Sequence, residues 1–430
     1  MTALAIDHWQ QRGACPGLSA PMPTGDGLLI RLLPIGTIPL AAFAQLCSAA
    51  RQHGNGIVEV TSRGSIQVRG LNAGSAPRFA DAVATLGIAA EDGVAVISNV
   101  LAGLDAEEIL NANALAADLR RVLARTSLTA RLAPKVAVVI DGGGALSLDD
   151  VSADVRLCAH PANGDAVLRV GIAGGEASAT PVGAIAPADG VEALGRLLEV
   201  IARRGRTARA RDILAAEGDA PFRLVLADLL IENVLPCGNR NDGDPIGSHR
   251  LRDGSLACGV GLAFGNANAT TLERLVEVAS GVGAIGIRAA AGRVLMFVGL
   301  KEAAASAFVA AAERLGFIVA AADPRWRIVA CAGAPICSSA HIAARALAPR
   351  IAVIAAAHLD SACQIHISGC AKGCARAGRA ALTIVGSPDG CALIANGSAR
   401  DVPFAVIATD ELPVAIEKYL HETAREDGHV

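Results

Sequence analysis

The stretch Ile367–Cys374 reads Ile-Ser-Gly-Cys-Ala-Lys-Gly-Cys and ends in a Cys-x3-Cys pair. A Cys-x5-Cys pair, Cys331 and Cys337, precedes it across residues 338–369. Four thiolates are the complement of a cubane iron–sulfur cluster, which takes one cysteine per iron. Glycines at 333, 369 and 373 let backbone amides approach the sulfurs closely. The spacing therefore predicts one [4Fe–4S] cluster on four cysteines: Cys331, Cys337, Cys370 and Cys374.

Other interpretations of these cysteines remain open. The paired cysteines of structural zinc sites are usually separated by two to four residues, so a separation of five disfavours zinc. The remaining cysteines of the chain are scattered, and we interpret them as small core residues. Cys363 and Cys391 flank the motif, and either could replace one of the predicted ligands.

The composition narrows the class of protein. The chain has 430 residues, of which 52% are hydrophobic and 18% charged, and this predicts two to four domains with large cores. A net charge of -3 argues against a nucleic-acid binder, whose surface would be basic. The sequence shows neither an apolar run of the roughly 18 residues that span a bilayer nor a signal peptide. We therefore expect a cytoplasmic protein without a membrane segment, in which clustered cysteines bind metal.

Two kinds of module each occur twice along the chain. The small module has a strand, a helix and a hairpin, and the large module has a helix, a buried-type strand and further strands. Such units predict an α+β fold with antiparallel sheets. Pro236–Gly247, which is rich in turn residues, is the predicted join between the halves. The small-module segments are 25–31, 40–51, 56–61 and 65–71, repeated as 258–262, 271–280, 284–288 and 294–300, and the large-module strands are 134–143 and 363–370.

Together with these repeats, the cysteine pattern is similar to that of the nitrite and sulfite reductase superfamily. Thr61–Gly70 resembles the hairpin with which that family grips its tetrapyrrole. Within the superfamily, two segments most resemble the precorrin-3B synthase branch of aerobic cobalamin synthesis: Cys15–Leu18 with the following Thr24–Gly27, and Ile367–Cys374. The resemblance covers nearly the whole chain.

The resemblance implies a duplicated architecture. We expect two ferredoxin-like half-modules, at 1–102 and 216–315, and two larger α/β modules of the nitrite/sulfite reductase type, at 103–215 and 316–430, related by a pseudo-twofold axis. Only the second large module carries the cysteine motif, because Gly143 stands where the first would hold the counterpart of Cys370. One cluster per chain follows.

The resemblance also implies a reaction. It predicts a monooxygenase that converts precorrin-3A to precorrin-3B with dioxygen, by hydroxylating a meso carbon and closing a lactone. The implied cofactors are the [4Fe–4S] cluster and a further non-haem iron or a sirohaem. Electrons would come from NADH through a reductase or from a ferredoxin, because the sequence has no strand–Gly-x-Gly-x-x-Gly–helix unit for a dinucleotide. Two alternatives stay open: a sirohaem-dependent sulfite or nitrite reductase, and a non-enzymatic metal- or tetrapyrrole-binding protein.

Basic residues are the candidates for binding such a substrate, because guanidinium groups bind the carboxylates of a tetrapyrrole rim bidentately. On the strand 65–71, alternate residues share a polar face that predicts a pocket wall, with a solvated edge as the alternative. His366 is the candidate catalytic residue, as proton donor or iron ligand, and a hydrogen-bonded core histidine is the alternative. The candidate substrate-binding residues are Arg63, Gln67, Arg69, Lys135, Arg288, Arg293 and Lys372.

The chain departs from the sulfite reductases at positions that are basic in that family. Arg63 and Lys135 stand at two of the anion-binding positions, but Ala137 and the Ile97–Val100 stretch replace the others. A doubly charged oxyanion in a dry site needs several positive partners. The departures therefore predict negligible sulfite reduction. The hairpin turn 288–293 also lacks the Pro-Trp pair expected of the family, which leaves the shape of that part of the pocket open.

Overall fold

The computed structural model describes residues 16–91, 93–162, 165–231, 243–356, 364–376 and 378–427. This part of the chain folds into four five-stranded sheets. Two of them belong to the small modules and two to the large modules. Cys15, Cys363 and most of the predicted join at Pro236–Gly247 lie outside the described residues. No helix in the described ranges is both long enough and apolar enough to span a membrane.

The two half-modules are antiparallel sheets that exchange their edge strands. Each sheet is completed by a short strand from the other half of the chain. β3 (Ile38–Pro39) pairs with β14 (Gly286–Ala290), and β13 (Asn266–Asn268) pairs with β4 (Ile57–Val60). This reciprocal exchange confirms the predicted pseudo-twofold relation. The first sheet otherwise contains β1 (Met22–Thr24), β2 (Gly27–Leu32), β4 (Ile57–Val60) and β5 (Ile66–Leu71), and the second contains β11 (Gly247–Arg250), β12 (Leu256–Gly261), β14 (Gly286–Ala290) and β15 (Val294–Leu300).

One hydrophobic core serves both half-modules. In α1 (Leu40–His53), buried Phe43, Leu46 and Ala50 recur at helical spacing and face this core. α1 packs against its counterpart α8 (Ala269–Gly281), so the pseudo-twofold axis passes between the two helices. The half-modules are completed by α2 (Ser75–Ala84) and α9 (Glu302–Arg314).

The two large modules share one strand order, in which three parallel strands continue into an antiparallel pair. Their second strands are buried on both faces, as apolar runs of this kind predict. The first module contains β6 (Ala95–Ser98), β7 (Ala137–Asp141), β8 (Ala153–Ala162), β9 (Asp165–Gly174) and β10 (Thr180–Ile185), with α3 (Ala112–Arg125), α4 (Leu128–Arg131), α5 (Gly190–Ala202), α6 (Ala210–Glu217) and α7 (Ala220–Leu226). The second contains β16 (Ile328–Ala330), β17 (Ile365–Ser368), β18 (Ala380–Ser387), β19 (Gly390–Gly397) and β20 (Ala405–Ile407), with α10 (Ala344–Ala355) and α11 (Leu412–Asp427). In the second module the last parallel pairing joins β17 to β18, and β19 and β20 complete the sheet.

The core of the first large module extends beyond the range 103–215 that was predicted for it. It runs from Val94, just before β6, to Leu226 on α7. The expected boundaries at 102 and 215 therefore fall inside this unit, because β6 pairs with β7 and α7 covers the same core. The boundary expected at 315 falls between α9 and β16, where the last module begins.

Candidate functional site

The cysteine motif lies at the carboxyl edge of the last sheet. β16 ends at Ala330 and β17 ends at Ser368, so Cys331 and Cys370 follow neighbouring parallel strands at the same edge. The Cys331 amide donates to the carbonyl oxygen of Ile367 over 3.1 Å. The fold therefore places two cysteine pairs side by side that are distant in the sequence.

The four thiols act on one another electrostatically. Burial is the main cause that raises the pKa of the Cys374 thiol. The nearby thiols of Cys331, Cys370 and Cys337 raise this pKa further. Burial also raises the pKa of Cys331, with contributions from Cys337 and Cys370. The structure thus gathers the four predicted ligands into one group. Across the described ranges, no three Cys, His, Asp or Glu side chains stand at the spacing of a single-ion site.

The backbone around Cys331 fits a thiolate-bound cluster. The Gly369 amide donates to Cys331 Sγ over 3.0 Å, and a hydrogen bond from the Gly333 backbone also favours the thiolate. Gly333 has φ +68°, and a Cβ at this position would stand 2.3 Å from the amide nitrogen of Ala344. A Cβ at Gly369 would stand 2.6 Å from the Cβ of Ala340. Only glycine lets the two amides approach the sulfur, as the sequence predicted. Four grouped thiols with amide donors suit a [4Fe–4S] cluster.

The first large module has a polar counterpart of this site. Asn99 follows β6 as Cys331 follows β16, and Gly142 follows β7 as Gly369 follows β17. The Gly142 amide donates to Asn99 Oδ1 over 2.7 Å, which repeats the contact of Gly369 with the Cys331 sulfur. Asn99 Nδ2 donates in turn to Asp141 Oδ1 over 3.0 Å. A buried amide–carboxylate pair therefore takes the place of the cysteine ligands in the first copy.

Arg69 and Gln67 belong to a buried polar network. Arg69 donates to the two carboxylate oxygens of Asp26 over 3.3 and 3.2 Å, and its guanidinium stands 3.8 Å from Glu59. Gln67, with its amide turned to match its neighbours, donates to Glu59 over 3.0 Å and accepts from Arg31. Alternation along β5 is as predicted, with Ile66 and Val68 in the core, but the polar face is covered by ion pairs.

This network joins the first half-module to the cysteine loop. Arg345 in the first turn of α10 forms an ion pair with Glu59. A Cβ at Gly25, in the turn before β2, would stand 2.7 Å from the carbonyl oxygen of Ile336 and 2.8 Å from that of Pro335. The turn that holds Asp26 therefore packs directly on the loop between Cys331 and Cys337. Arg69 is thereby placed in a structural ion pair, whereas the sequence predicted a substrate contact.

A small cavity of about 50 Å³ brings Arg63 and Arg288 together. Arg63 Nη2 donates to the carbonyl oxygen of Ser152 over 3.1 Å. Arg288 donates to the carbonyl oxygens of Val100 and Ala102 over 2.9 and 3.0 Å, and burial lowers its pKa. Two arginines from the two pseudo-equivalent hairpins thus line one cavity.

The positions at which the sequence analysis expected basic residues to be replaced, Ala137 and the Ile97–Val100 stretch, are apolar or already hydrogen-bonded. Ala137 and Ile97 are buried in an apolar cluster with Val139. Ser98 Oγ donates to Asn113 Oδ1 over 2.9 Å, and Asn99 is bonded to Asp141. These side chains offer no positive charge to an anion.

His366 lies on β17 and is fully buried, and in the described part of the chain neither ring nitrogen has a hydrogen-bond partner. Burial lowers its pKa to about 4, helped by the charges of Arg376 and Arg293, so the imidazole is neutral near pH 7. The role of His366, as a proton donor, an iron ligand or a core histidine, stays a prediction.

The two lysines that were predicted to bind substrate, Lys372 and Lys135, are both exposed. Lys372 is exposed, donates to Ser339 Oγ over 2.7 Å and lowers the pKa of Cys374. Lys135 is exposed just before β7.

Three residues of this region were missed by the sequence analysis. Arg376 could have been found from its place two residues after Cys374. Glu59 and Arg345 give no such signal, because their pairing depends on contacts between distant modules.

Sequence comparison reaches the same superfamily. Residues 20–86 match the family described as the nitrite/sulfite reductase ferredoxin-like half domain. Over 402 residues, the chain is 38% identical to a precorrin-3B synthase of Sinorhizobium sp., a match that covers 93% of this chain and 86% of the relative. The chain belongs to the precorrin-3B synthase family. The predicted resemblance is thereby confirmed.

A solved structure supports the fold. The NirA protein of Mycobacterium tuberculosis superposes with a TM-score of 0.77 over 93% of this chain and 81% of its own, at 19% sequence identity. At this identity the likeness concerns the fold alone. It confirms the predicted α+β architecture of the nitrite/sulfite reductase type.

Proposed function

We propose that the chain is a monooxygenase that converts precorrin-3A to precorrin-3B in aerobic cobalamin synthesis. The observation that carries this proposal is the 38% identity to a precorrin-3B synthase over 93% of the chain. In the reaction, one atom of dioxygen forms a hydroxyl group on a meso carbon and the other leaves as water. Two electrons and two protons balance this step, and a neighbouring acetate then closes the lactone.

We further propose that Cys331, Cys337, Cys370 and Cys374 hold the [4Fe–4S] cluster. The grouping of their thiols and the glycine amides at Cys331 support this assignment. When bound, the cluster supplies single electrons, and a further non-haem iron or a sirohaem would supply the centre that activates dioxygen. The electrons come from a separate donor, NADH through a reductase or a ferredoxin.

The residues of the chain bind and orient the substrate. Arg63 and Arg288 face a cavity of about 50 Å³, which suits a single carboxylate group of the tetrapyrrole rim. Their planar guanidinium groups can hold a carboxylate through two parallel hydrogen bonds. The neutral imidazole of His366 can hold a proton at either ring nitrogen, since neither has a partner within the described residues.

The same geometry argues against reduction of a small oxyanion. Sulfite in a dry site needs several positive partners, because an unpaired buried charge costs several kcal/mol. Ala137 and Ile97 are apolar and buried where such partners would stand. A tetrapyrrole avoids this cost, because its carboxylates lie at its rim. We also place the enzyme in the cytoplasm, where a reducing environment keeps cluster cysteines as thiols.

A side-by-side turnover assay on protein purified without air tests this function. One arm receives precorrin-3A, dioxygen and a reductant, and the other receives sulfite with a strong artificial electron donor. We expect oxygen-dependent change of the tetrapyrrole spectrum and negligible sulfite-dependent oxidation of the donor. Rapid donor oxidation by sulfite, with an unchanged tetrapyrrole, would replace the synthase assignment with a reductase.

A further inference from the structure

Arg288 on β14 is held by residues of two other modules. Its Nη1 donates to the carbonyl oxygens of Val100 and Ala102 in the first large module over 2.9 and 3.0 Å. Its Nε donates to Thr37 Oγ1 in the first half-module over 2.7 Å. Among the described residues, Nη2 donates no hydrogen bond. Nη2 is therefore the nitrogen that Arg288 keeps for a ligand of the cavity that it shares with Arg63.

The exchanged strand β3 sets Thr37 opposite Arg288. Ile38 pairs with Ile287, so the next step along this antiparallel pairing brings Thr37 across from Arg288. Side chains that face each other in this way lie close enough to bond. A Cβ added at Gly286 would stand 2.8 Å from the carbonyl oxygen of Ile38 and closer still to Thr37 Cγ2. Glycine at this position is therefore what lets β3 approach β14 and bring the hydroxyl to the guanidinium.

The other half of the chain shows that the fold does not require this contact. β13 pairs with β4 as β3 pairs with β14, so Asn266 and Glu59 stand where Thr37 and Arg288 stand. Asn266 Nδ2 donates to the carbonyl oxygen of Phe264, and Glu59 forms its ion pair with an arginine of α10. The bond between hydroxyl and guanidinium thus occurs on the half whose arginine lines the cavity, and its pseudo-equivalent positions are bonded elsewhere.

Thr37 acts on the cavity through Arg288. The preceding residues 33–36 line the cavity, whereas Thr37 is exposed and does not belong to the described residues that line it. An arginine side chain loses considerable rotamer freedom when it is fixed, and fixing it before the ligand arrives lowers the cost of binding. We propose that Thr37 is a positioning residue, whose hydroxyl holds the Nε edge of Arg288 so that Nη2 meets one carboxylate of the substrate. This inference rests on the proposed function, because the tetrapyrrole rim supplies the carboxylate.

Anaerobic binding titrations of the full cluster-containing chain with precorrin-3A test this role. Thr37→Val removes the hydroxyl with little change of shape, and it should weaken binding roughly 2- to 13-fold. Thr37→Ser keeps the hydroxyl and should bind nearly as the wild type does. Thr85→Val is the matched control, because this exposed threonine donates to the carbonyl oxygen of Ala82 at the end of α2. The control should leave the affinity unchanged.

A positioning role also predicts coupling between Thr37 and Arg288. Arg288→Ala removes the group that the hydroxyl holds, so Thr37→Val added to it should weaken binding no further. A hydroxyl that served only to stabilise β3 would behave differently. Its loss would lower the free energy of unfolding in urea, and it would change the affinity equally with and without Arg288.

Three results would overturn the inference, and they are distinguishable. If the wild type and Thr37→Val bind precorrin-3A equally well, the function stands and the positioning role is wrong. If serine weakens binding as much as valine, the hydroxyl is not the group that matters. If the wild type itself fails to bind precorrin-3A, the proposed function fails and the inference fails with it.

Discussion

Replacing Arg69 with methionine removes a guanidinium that bonds Asp26 and faces Glu59. The Arg69 side chain is 7% exposed, and its two partners are 17% and 11% exposed. Methionine keeps most of the stem that packs in the site, so the variant removes charge more than volume. Asp26 then becomes a largely buried carboxylate without its cation, although it keeps hydrogen bonds from Thr24 and Asn55.

Removing one partner of a buried ion pair destabilises a protein by about 3–5 kcal/mol. Glu59 keeps Arg345, so we expect the lower end of this range, about 3 kcal/mol. Equilibrium urea unfolding followed by circular dichroism measures the loss in the free energy of unfolding. Arg63→Met is the control, since this exposed arginine donates to a backbone carbonyl and its loss should cost under about 1 kcal/mol.

A double variant sharpens the test. Asp26→Asn combined with Arg69→Met removes both charges, so its cost should be smaller than the sum of the two single costs. The reasoning is refuted if Arg69→Met unfolds at the wild-type urea concentration and yet no longer binds the tetrapyrrole. That result would make Arg69 a substrate contact.

Three further predictions concern the cluster and the substrate. Serine at any one of Cys331, Cys337, Cys370 or Cys374 should abolish cluster assembly, whereas serine at Cys47 or Cys158 should not. Iron and sulfide analysis decides this, and full iron content in the Cys370 variant would contradict the assignment. Arg63→Ala and Arg288→Ala should each weaken tetrapyrrole binding roughly 10- to 150-fold with the cluster intact, and equal affinity in an equilibrium titration would show that the cavity is not used. Gly25→Ala should speed the loss of iron to a chelator, because its Cβ would collide with the carbonyls of Pro335 and Ile336, while Gly195→Ala, with nothing within 4 Å of its added Cβ, should not.

The sequence was sufficient for features that depend on local pattern. The helix predicted at 40–51 is α1, and the buried strand predicted at 134–143 contains β7. The cysteine spacing predicted a group of four thiols, and in the structure the parallel strands β16 and β17 bring their carboxyl ends to one edge of the sheet beside these cysteines. Alternation along β5 correctly assigned Ile66 and Val68 to the core.

Features that depend on contacts between modules could not be predicted. Alternation shows which face of β5 is polar, but it does not show that α10 and the cysteine loop cover this face. Arg69 was therefore assigned to substrate, whereas it pairs with Asp26. The exchanged strands β3 and β13 span only two and three residues, too few to give a periodic signal. The boundary predicted at 102 lies between β6 and β7, two strands that pair in one sheet.

Isotope labelling of the product tests the central claim most directly. The anaerobically purified enzyme is given precorrin-3A and a reductant under ¹⁸O₂, and the tetrapyrrole product is examined by mass spectrometry. A monooxygenase should place one ¹⁸O atom in precorrin-3B and release the other as water. A product without ¹⁸O under ¹⁸O₂, or one that takes its new oxygen from ¹⁸O-labelled water, would contradict the account.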